Sequence, residues 1–231
     1  MQQLTAMKHQ QTAEFIRRAT WSIMIFCCTM FASTVFAANK AGEVVKVIGR
    51  VSAATTEGEI RGLTDGNPVN SGDTVVTNIN SFARMKLTDG GYIVLRPNTR
   101  FQIADYNYAE KPAENRSVFN LLKGGFRAVT GLIGLRNRAG VAYRTAVATI
   151  GIRGTDLEAI DCTDGCPDLG TDINAGMYFK VHEGAIDVKD YKGGELKHFE
   201  AGGGGIADLN GKITIDTKFD WAKHGCPDCG S

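Results

Sequence analysis

From Gly42 onward the sequence advances in short apolar runs of alternating parity, each cut by glycine, aspartate or asparagine, and no window sustains an apolar stripe of helical period. Such a chain can bury its apolar positions only by pairing strands, so the fold class is all-β. The clearest unit is Phe82 to Leu95: Ala83, Met85 and Leu87 alternate with Phe82, Arg84 and Lys86, Asp89-Gly90-Gly91 turns the backbone, and Tyr92-Ile93-Val94-Leu95 returns it as a hairpin. Pro97-Asn98 closes that pair, and Phe101 and Ile103 share a face of the next strand. Upstream, Val45, Val47 and Val51 flank Gly49 in a first strand region, and Asp65-Gly66 and Ser71-Gly72-Asp73 supply turn chemistry.

Further along, residues 109–117 (AEKPAENRS) are polar and read as an exposed loop inside one domain, because β patterning resumes at Val118. Lys123-Gly124-Gly125 opens a turn-rich zone extending to Gly140, in which Ala-Val-Thr-Gly-Leu-Ile could form a helical turn but shows no local cap. MYFKVHEGAIDVKD reads as two strand halves about Glu183-Gly184, and the four glycines of HFEAGGGGIADL read as a flexible turn.

The first 37 residues follow a different logic. Lys8, Arg17 and Arg18 precede an uncharged stretch from Ala19 to Phe36, and Val35-Phe36-Ala37 places small or aliphatic residues where a signal peptidase reads. Residues 1–37 are therefore expected to be a secretory signal peptide cleaved after Ala37, the alternative being an uncleaved anchor. The remainder is then expected in the periplasm or outside the cell. A composition of 43% hydrophobic residues with 28 glycines describes a folded, turn-rich protein, and a formal charge of +1 gives no electrostatic reason to expect nucleic acid as partner.

Cysteine usage fits export. Cys162 and Cys166 lie in DCTDGC, and Cys226 and Cys229 in CPDC, an even count that argues for disulfides. Two local loops are the simplest pairing, with a tie between the tail and the Cys162 loop also open. A zinc site would have to add His224 or His182 and lacks the flanking pattern of a zinc ribbon. A thioredoxin-like site would need a helix after CPDC, which the two residues that follow do not supply.

The most unusual stretch is VATIGIRGTDL, residues 147–157, where Gly151, Arg153 and Gly154 interrupt a strand pattern. A phosphate loop would need glycines between strand and helix with a following lysine, or G-x-G-x-x-G spacing, and has neither here. Ala148, Ile150 and Ile152 share one parity while Val147, Thr149 and Gly151 share the other. Glycine within a strand marks a bulge, a bend or a close approach. Gly154 before Thr155 is the sharper candidate for a left-handed backbone, returning Leu157 to the core, while Arg153 is placed to cover a face or meet a carboxylate.

ATIGIRGTDLEA, preceded by VFNLLKGGFRAVTG and followed by YFKVHEGAIDVKD, resembles the FecR domain family, whose T-x-x-G-x-R-G-T phrase is followed by V-x-E-G-x-V-x-V. GDTVVTNINSFARMKLTDGGYIVLRPNTRFQI resembles the family's upstream phrases. The resemblance covers residues 41–190 and assigns Gly151, Arg153, Gly154, Thr155, Glu183 and Gly184 to its motifs in a structural capacity. It implies an extracytoplasmic all-β module, β-solenoid-like or sandwich-like, with residues 191–231 as a C-terminal extension outside the motifs. It also implies a relay from a siderophore transporter, although this chain shows no cytoplasmic anti-sigma domain.

Catalysis finds little purchase. His182 could act as a base with Asp156 or Glu158 as partner, but His198 and His224 lie in separate segments and no nucleophile signature such as G-x-S-x-G accompanies them. No cofactor or metal ligand set is evident. The expectation is a non-catalytic binding module for another envelope protein or polymer, with strand edges as a recognition surface. The second reading is a periplasmic signalling component that works with a separate membrane regulator.

Overall fold

A computed structural model describes residues 39–166, 169, 173–192, 194–216 and 218–224, with Pro112 described by its backbone alone. Cys226, Cys229 and the expected signal peptide lie outside the described residues. Residues 38–231 form one compact unit, and no described helix is long and apolar enough to cross a membrane.

The described strands are β1 (Lys40–Ile48), β2 (Val51–Ala54), β3 (Ile60–Gly62), β4 (Pro68–Asn70), β5 (Thr74–Thr77), β6 (Phe82–Leu87), β7 (Tyr92–Leu95) and β8 (Arg100–Asn107). They continue as β9 (Arg116–Val129), β10 (Val141–Arg144), β11 (Ala148–Asp161), β12 (Gly176–Asp190), β13 (Leu196–Glu200), β14 (Gly204–Asp208) and β15 (Ile213–Ile215). The described residues also include two short α-helices, α1 (Leu132–Arg136) and α2 (Trp221–His224), and 3-10 turns at Pro112–Glu114 and Arg138–Gly140. All strands join one hydrogen-bonded network with a path of β15-β14-β12-β11-β10-β9-β7-β6-β1-β4. Every pairing is antiparallel except β9 with β10, the pattern of an antiparallel sheet folded onto itself rather than of parallel solenoid coils.

Long strands make that folding possible. β9 pairs with β8 and β10 through its first half and with β7 and β11 through its second. β11 repeats the device, lying between β10 and β12 at its start and between β9 and β12 at its end. Each long strand thus serves two parts of the sheet, and one hydrophobic cluster fills the interior. At its centre Phe119 and Phe126 both stack on Tyr143, with centroids 5.2 and 5.0 Å away, and Phe101 packs against both phenylalanines.

Several expectations hold. The β6–β7 hairpin pairs as read, with Ala83 opposite Leu95 and Lys86 opposite Tyr92. Ala148, Ile150, Ile152 and Leu157 are buried, and Val118 to Leu122 lie in a strand, although β9 already begins at Arg116 and Asn115 and Ser117 of the expected exposed loop are buried. The first strand differs in detail: a register shift between Val44 and Lys46 leaves Val44 buried and Val45 exposed.

Two turn expectations are corrected. Gly124-Gly125 does not end a strand but bends β9 in mid-course, because Gly124 has φ +84 and a side chain there would strike the backbone of Thr99. The four-glycine run is only half turn. Gly204 and Gly205 belong to β14, where a Cβ would lie 2.8 Å from the Phe179 carbonyl oxygen and 2.7 Å from the Phe179 ring respectively. Close approach of neighbouring backbone, and at Gly205 also of the Phe179 ring, requires glycine there.

Residues 196–215 are continuous with the sheet. β13 pairs with the second half of β12, β14 with its first half, and β15 with β14. Phe219 and Trp221 then pack around Tyr178, with Phe219 4.6 Å from the Tyr178 ring.

Candidate functional site

β11 and β12 run antiparallel along their whole lengths and carry two places of interest, a bend at their middle and a cleft at one end. At the bend, Arg153 pairs with Ala185 and Asp156 with Glu183, so Gly154 and Thr155 on β11 oppose Gly184 alone. The next pair is Leu157 with Val181, which leaves His182 as an extra residue on β12. An inserted residue on each strand turns both without losing register beyond. Leu157 and Val181 consequently both reach the core, while His182 and Glu183 are exposed in succession.

The two glycines nest. Gly154 has φ +61 and Gly184 φ +74, both in the left-handed region. A Cβ on Gly184 would overlap the carbonyl oxygen of Gly154 and lie 3.0 Å from that of Arg153, whereas one on Gly154 would meet Leu135 at an ordinary 3.5 Å. Gly184 is therefore the sterically stricter position. Gly151, by contrast, sits in regular pairing between Ala142 and Asp187, and a Cβ there would meet only the Asp187 carbonyl, at 3.8 Å. The bend expected around both motif glycines of β11 belongs to Gly154.

Thr155 pins the turn. Its buried hydroxyl donates to the Ala185 carbonyl at 2.6 Å and accepts from the Arg153 amide at 3.0 Å. Its amide donates to Thr130 Oγ1 at 2.9 Å, and its carbonyl accepts from the Thr130 amide and hydroxyl. Arg153 meets a carboxylate as expected, Asp187 Oδ2 at 2.9 Å, on the exposed side. Burial alone would raise the Asp187 carboxyl, but hydrogen bonds from His198 and Arg153 outweigh it and hold the group below the ordinary carboxylate range. Arg153 and Thr155 are thus occupied with the ladder and its flanking carboxylate, while Glu183 of the motif is exposed beside the bend.

Beside the bend, the solvent side of β11 carries buried ion pairs. Glu158 bonds Arg96 at 3.1 Å and His182 at 3.3 Å, and Asp156 bonds Arg127 through two contacts of 2.9 and 2.7 Å. Donation to the Asp156 carboxylate raises the Arg127 guanidinium despite burial, whereas burial lowers that of Arg96 and Glu158 partly offsets it. The His182–Glu158 pairing weighed for catalysis thus exists, with Arg96 rather than a nucleophile on the carboxylate's other oxygen. His198 belongs to a separate cluster with Asp187, and His224 packs on Phe219.

The cleft opens where β11 ends. Its volume is about 680 Å³, formed by the turn tips Ile79-Asn80 and Arg96-Pro97-Asn98, by Leu122 to Gly125 on β9, and by Ile160, Asp161, Thr163 to Cys166 and Leu169. A disulfide joining Cys162 and Cys166 closes that last wall, with Cys162 fully buried in a small cluster with Ile160 and Tyr178. Asp161 stands on the cleft wall at 8% exposure, where Oδ1 accepts from the amide and hydroxyl of Thr163 at 2.9 and 2.7 Å. Burial raises its carboxyl even so. Nothing in the local pattern of DCTDGC announces a cleft, because three of its walls come from remote turns.

Strand edges are less available than expected at one place. On β15 the Ile213 amide donates to Glu195 Oε2 at 3.0 Å and its carbonyl accepts from Lys197 Nζ, so these side chains occupy positions that an incoming strand would use.

A bent antiparallel sheet whose crossing is built from G-x-R-G-T on one strand and E-G on the next defines a β-module organised around its motif. Residues 73–187 match the family model described as FecR protein, and the chain is a FecR-domain protein. The match is narrower than the 41–190 resemblance. β1 to β4 precede it yet pair into the same sheet. Among solved structures, two crystal structures of a candidate anti-sigma factor from Parabacteroides distasonis ATCC 8503, at 1.65 and 2.50 Å, align with TM-score 0.44 and 14% identity. Each alignment covers 62% of this chain and 58% of that one, so the chain spans under two thirds of its neighbour's length, and the likeness carries no argument about function. No curated protein matches the sequence.

Proposed function

We propose that this chain is an exported, non-catalytic FecR-domain protein that binds another envelope protein. The FecR match over residues 73–187 carries this reading, as a family of regulatory rather than catalytic character. The side-chain chemistry agrees. His182 and Glu158 are engaged with Arg96 in an ion-paired cluster, and Thr155 holds the bend, so these chemistry-bearing residues serve structure. Export is supported by the basic n-region, the uncharged stretch and Val35-Phe36-Ala37, and by a disulfide within the fold.

Capture from an envelope extract tests the binding. Folded protein should retain a discrete envelope protein that heat-unfolded protein does not, and an equal yield from both would reject the reading. Intact mass of the exported form should begin at Ala38; full-length chain in the membrane fraction would support the anchor. The second reading, a component of transporter-coupled signalling with a separate membrane regulator, is favoured if the captured protein is an outer-membrane transporter or an inner-membrane regulator. An envelope polymer as ligand would appear as retention that survives protease treatment of the extract.

A further inference from the structure

The bend consumes the family motif, but the cleft beside Cys162–Cys166 has no structural task that explains its lining. Its charges are unevenly matched. Arg96 is neutralised by Glu158, whereas Asp161, Asp164 and Lys123 make no ion pair among the described residues. Two aspartates and one lysine thus line a space of about 680 Å³, a volume in the range of a ligand site. Around them stand large aliphatic side chains left to solvent, Ile79 at 68% exposure and Leu122 at 52%. Asn80 and Asn98, with φ +54° and +55°, shape the two turns that rim the cleft, a left-handed conformation that asparagine tolerates.

We propose that the cleft receives a basic side chain, lysine or arginine, carried on an extended apolar segment of a partner polypeptide; this rests on the protein-binding reading above. The cationic group docks against Asp161 and Asp164, with flanking aliphatic residues on Ile79 and Leu122. Lys123 on the opposite wall donates to the segment's main-chain carbonyls. The polarity follows from charge complementarity. An anionic ligand would meet two carboxylates for one ammonium, while a cation supplies N–H donors to the buried Asp161, which among the described residues accepts from Thr163. A purely apolar segment would leave that carboxylate desolvated and without a cation.

The probe is a fluorescein-labelled, acetylated Leu-Lys-Leu-Lys-Leu amide titrated with the purified protein and read by polarisation. Saturable binding is expected, weakened by about tenfold or more when the lysines are replaced by norleucine or glutamate. Asp161→Asn, which keeps the acceptor for Thr163, and the exposed Asp164→Asn should each weaken binding with the thermal midpoint unchanged. Lys123→Glu should not abolish it. No binding of the lysine peptide, equal binding of the glutamate peptide, or indifference to both aspartate variants would overturn the assignment. Spermidine that competes as tightly as the peptide would overturn it too, in favour of a free amine. Capture of an envelope protein that persists in the Asp161→Asn/Asp164→Asn protein would sink the cleft assignment alone, whereas failure of the wild type to capture any would sink the binding function itself.

Discussion

The middle and the end of the β11–β12 pair do opposite things with similar materials. At the middle, the polar groups of Thr155 and Arg153 are spent on the crossing itself: Thr155 ties β11 to β12 and to Thr130 just beyond β9, and the Arg153–Asp187 pair lies over the outer face. At the end, the same two strands separate around a disulfide-closed loop and leave Asp161 and Asp164 on a cleft wall. The more recognisable sequence is at the structural site, and the more accessible chemistry is where no motif points. A motif can mark a backbone geometry that side chains cannot replace, while a binding surface needs only suitable groups brought together by the fold.

If that contrast is right, the largest single effect comes from Gly184→Val. Positive φ costs about 1–2 kcal/mol for a residue with a Cβ, and overpacking against a carbonyl adds roughly 1–3 kcal/mol. The variant should fail to accumulate as folded protein, or lose most of its stability in denaturant. A wild-type midpoint would show that the crossing is not fixed by this contact. At the other end, replacing Cys162 and Cys166 together by alanine should cost about 2 kcal/mol in the loop-entropy account of so short a ring. Hydrogen exchange should then rise at residues 160–169 and stay unchanged at residues 153–157. Equal exchange at both places would mean that the two ends are one cooperative unit and erase the distinction drawn between them.

What could be read in advance follows the same division. Alternation reports which residues share a face, so the β6–β7 hairpin and the buried parity of Ala148, Ile150 and Ile152 were legible, as was the left-handed Gly154 from its place before Thr155. Continuity through glycine was not legible. Gly124-Gly125 and Gly204-Gly205 look like turns because the reason for them, contact with Thr99 and Phe179, lies elsewhere in the chain. The helix α1 showed no local cap for the same reason: its Ile133 amide is capped by the Asp89 carboxylate, 44 residues away. The cleft was invisible altogether, since its walls come from the β5–β6, β7–β8 and β9 bends as well as from the cysteine loop. Gly184 was assigned to the motif, but its precedence over Gly154 needed the opposing strand to be placed.

Gly154→Val is the next test in size. A Cβ there has room beside Leu135, so the penalty is chiefly conformational, about 1–2 kcal/mol. That corresponds to a fall in Tm of roughly 2–4 °C for each kcal/mol in a domain of this size. Gly154→Asn should be milder, because asparagine tolerates the left-handed region, and Gly151→Ala should leave Tm nearly unchanged. A loss at Gly154 as large as that at Gly184 would place the strict contact on β11 instead.

The smallest expected effect belongs to the motif's charged member. Arg153 is half exposed, so its pair with Asp187 should contribute less than about 1 kcal/mol, and Arg153→Ala should lower Tm only slightly, less again in 1 M salt. The pH dependence has a definite sign. The Asp187 carboxyl is held below its ordinary value in the folded chain, so the stabilisation it provides is present above the unfolded pKa of about 4 and is lost as pH falls through the lower folded value. Wild type and Arg153→Ala should therefore differ at pH 7 and converge in acid once the carboxylate is protonated in both. His198, which also bonds Asp187, remains in the variant and preserves part of the effect. If the two proteins instead stay apart across the acid range, or Arg153→Ala unfolds as readily as Gly154→Val, then the guanidinium holds the crossing by packing over it. The bend would then depend on a side chain as well as on its glycines.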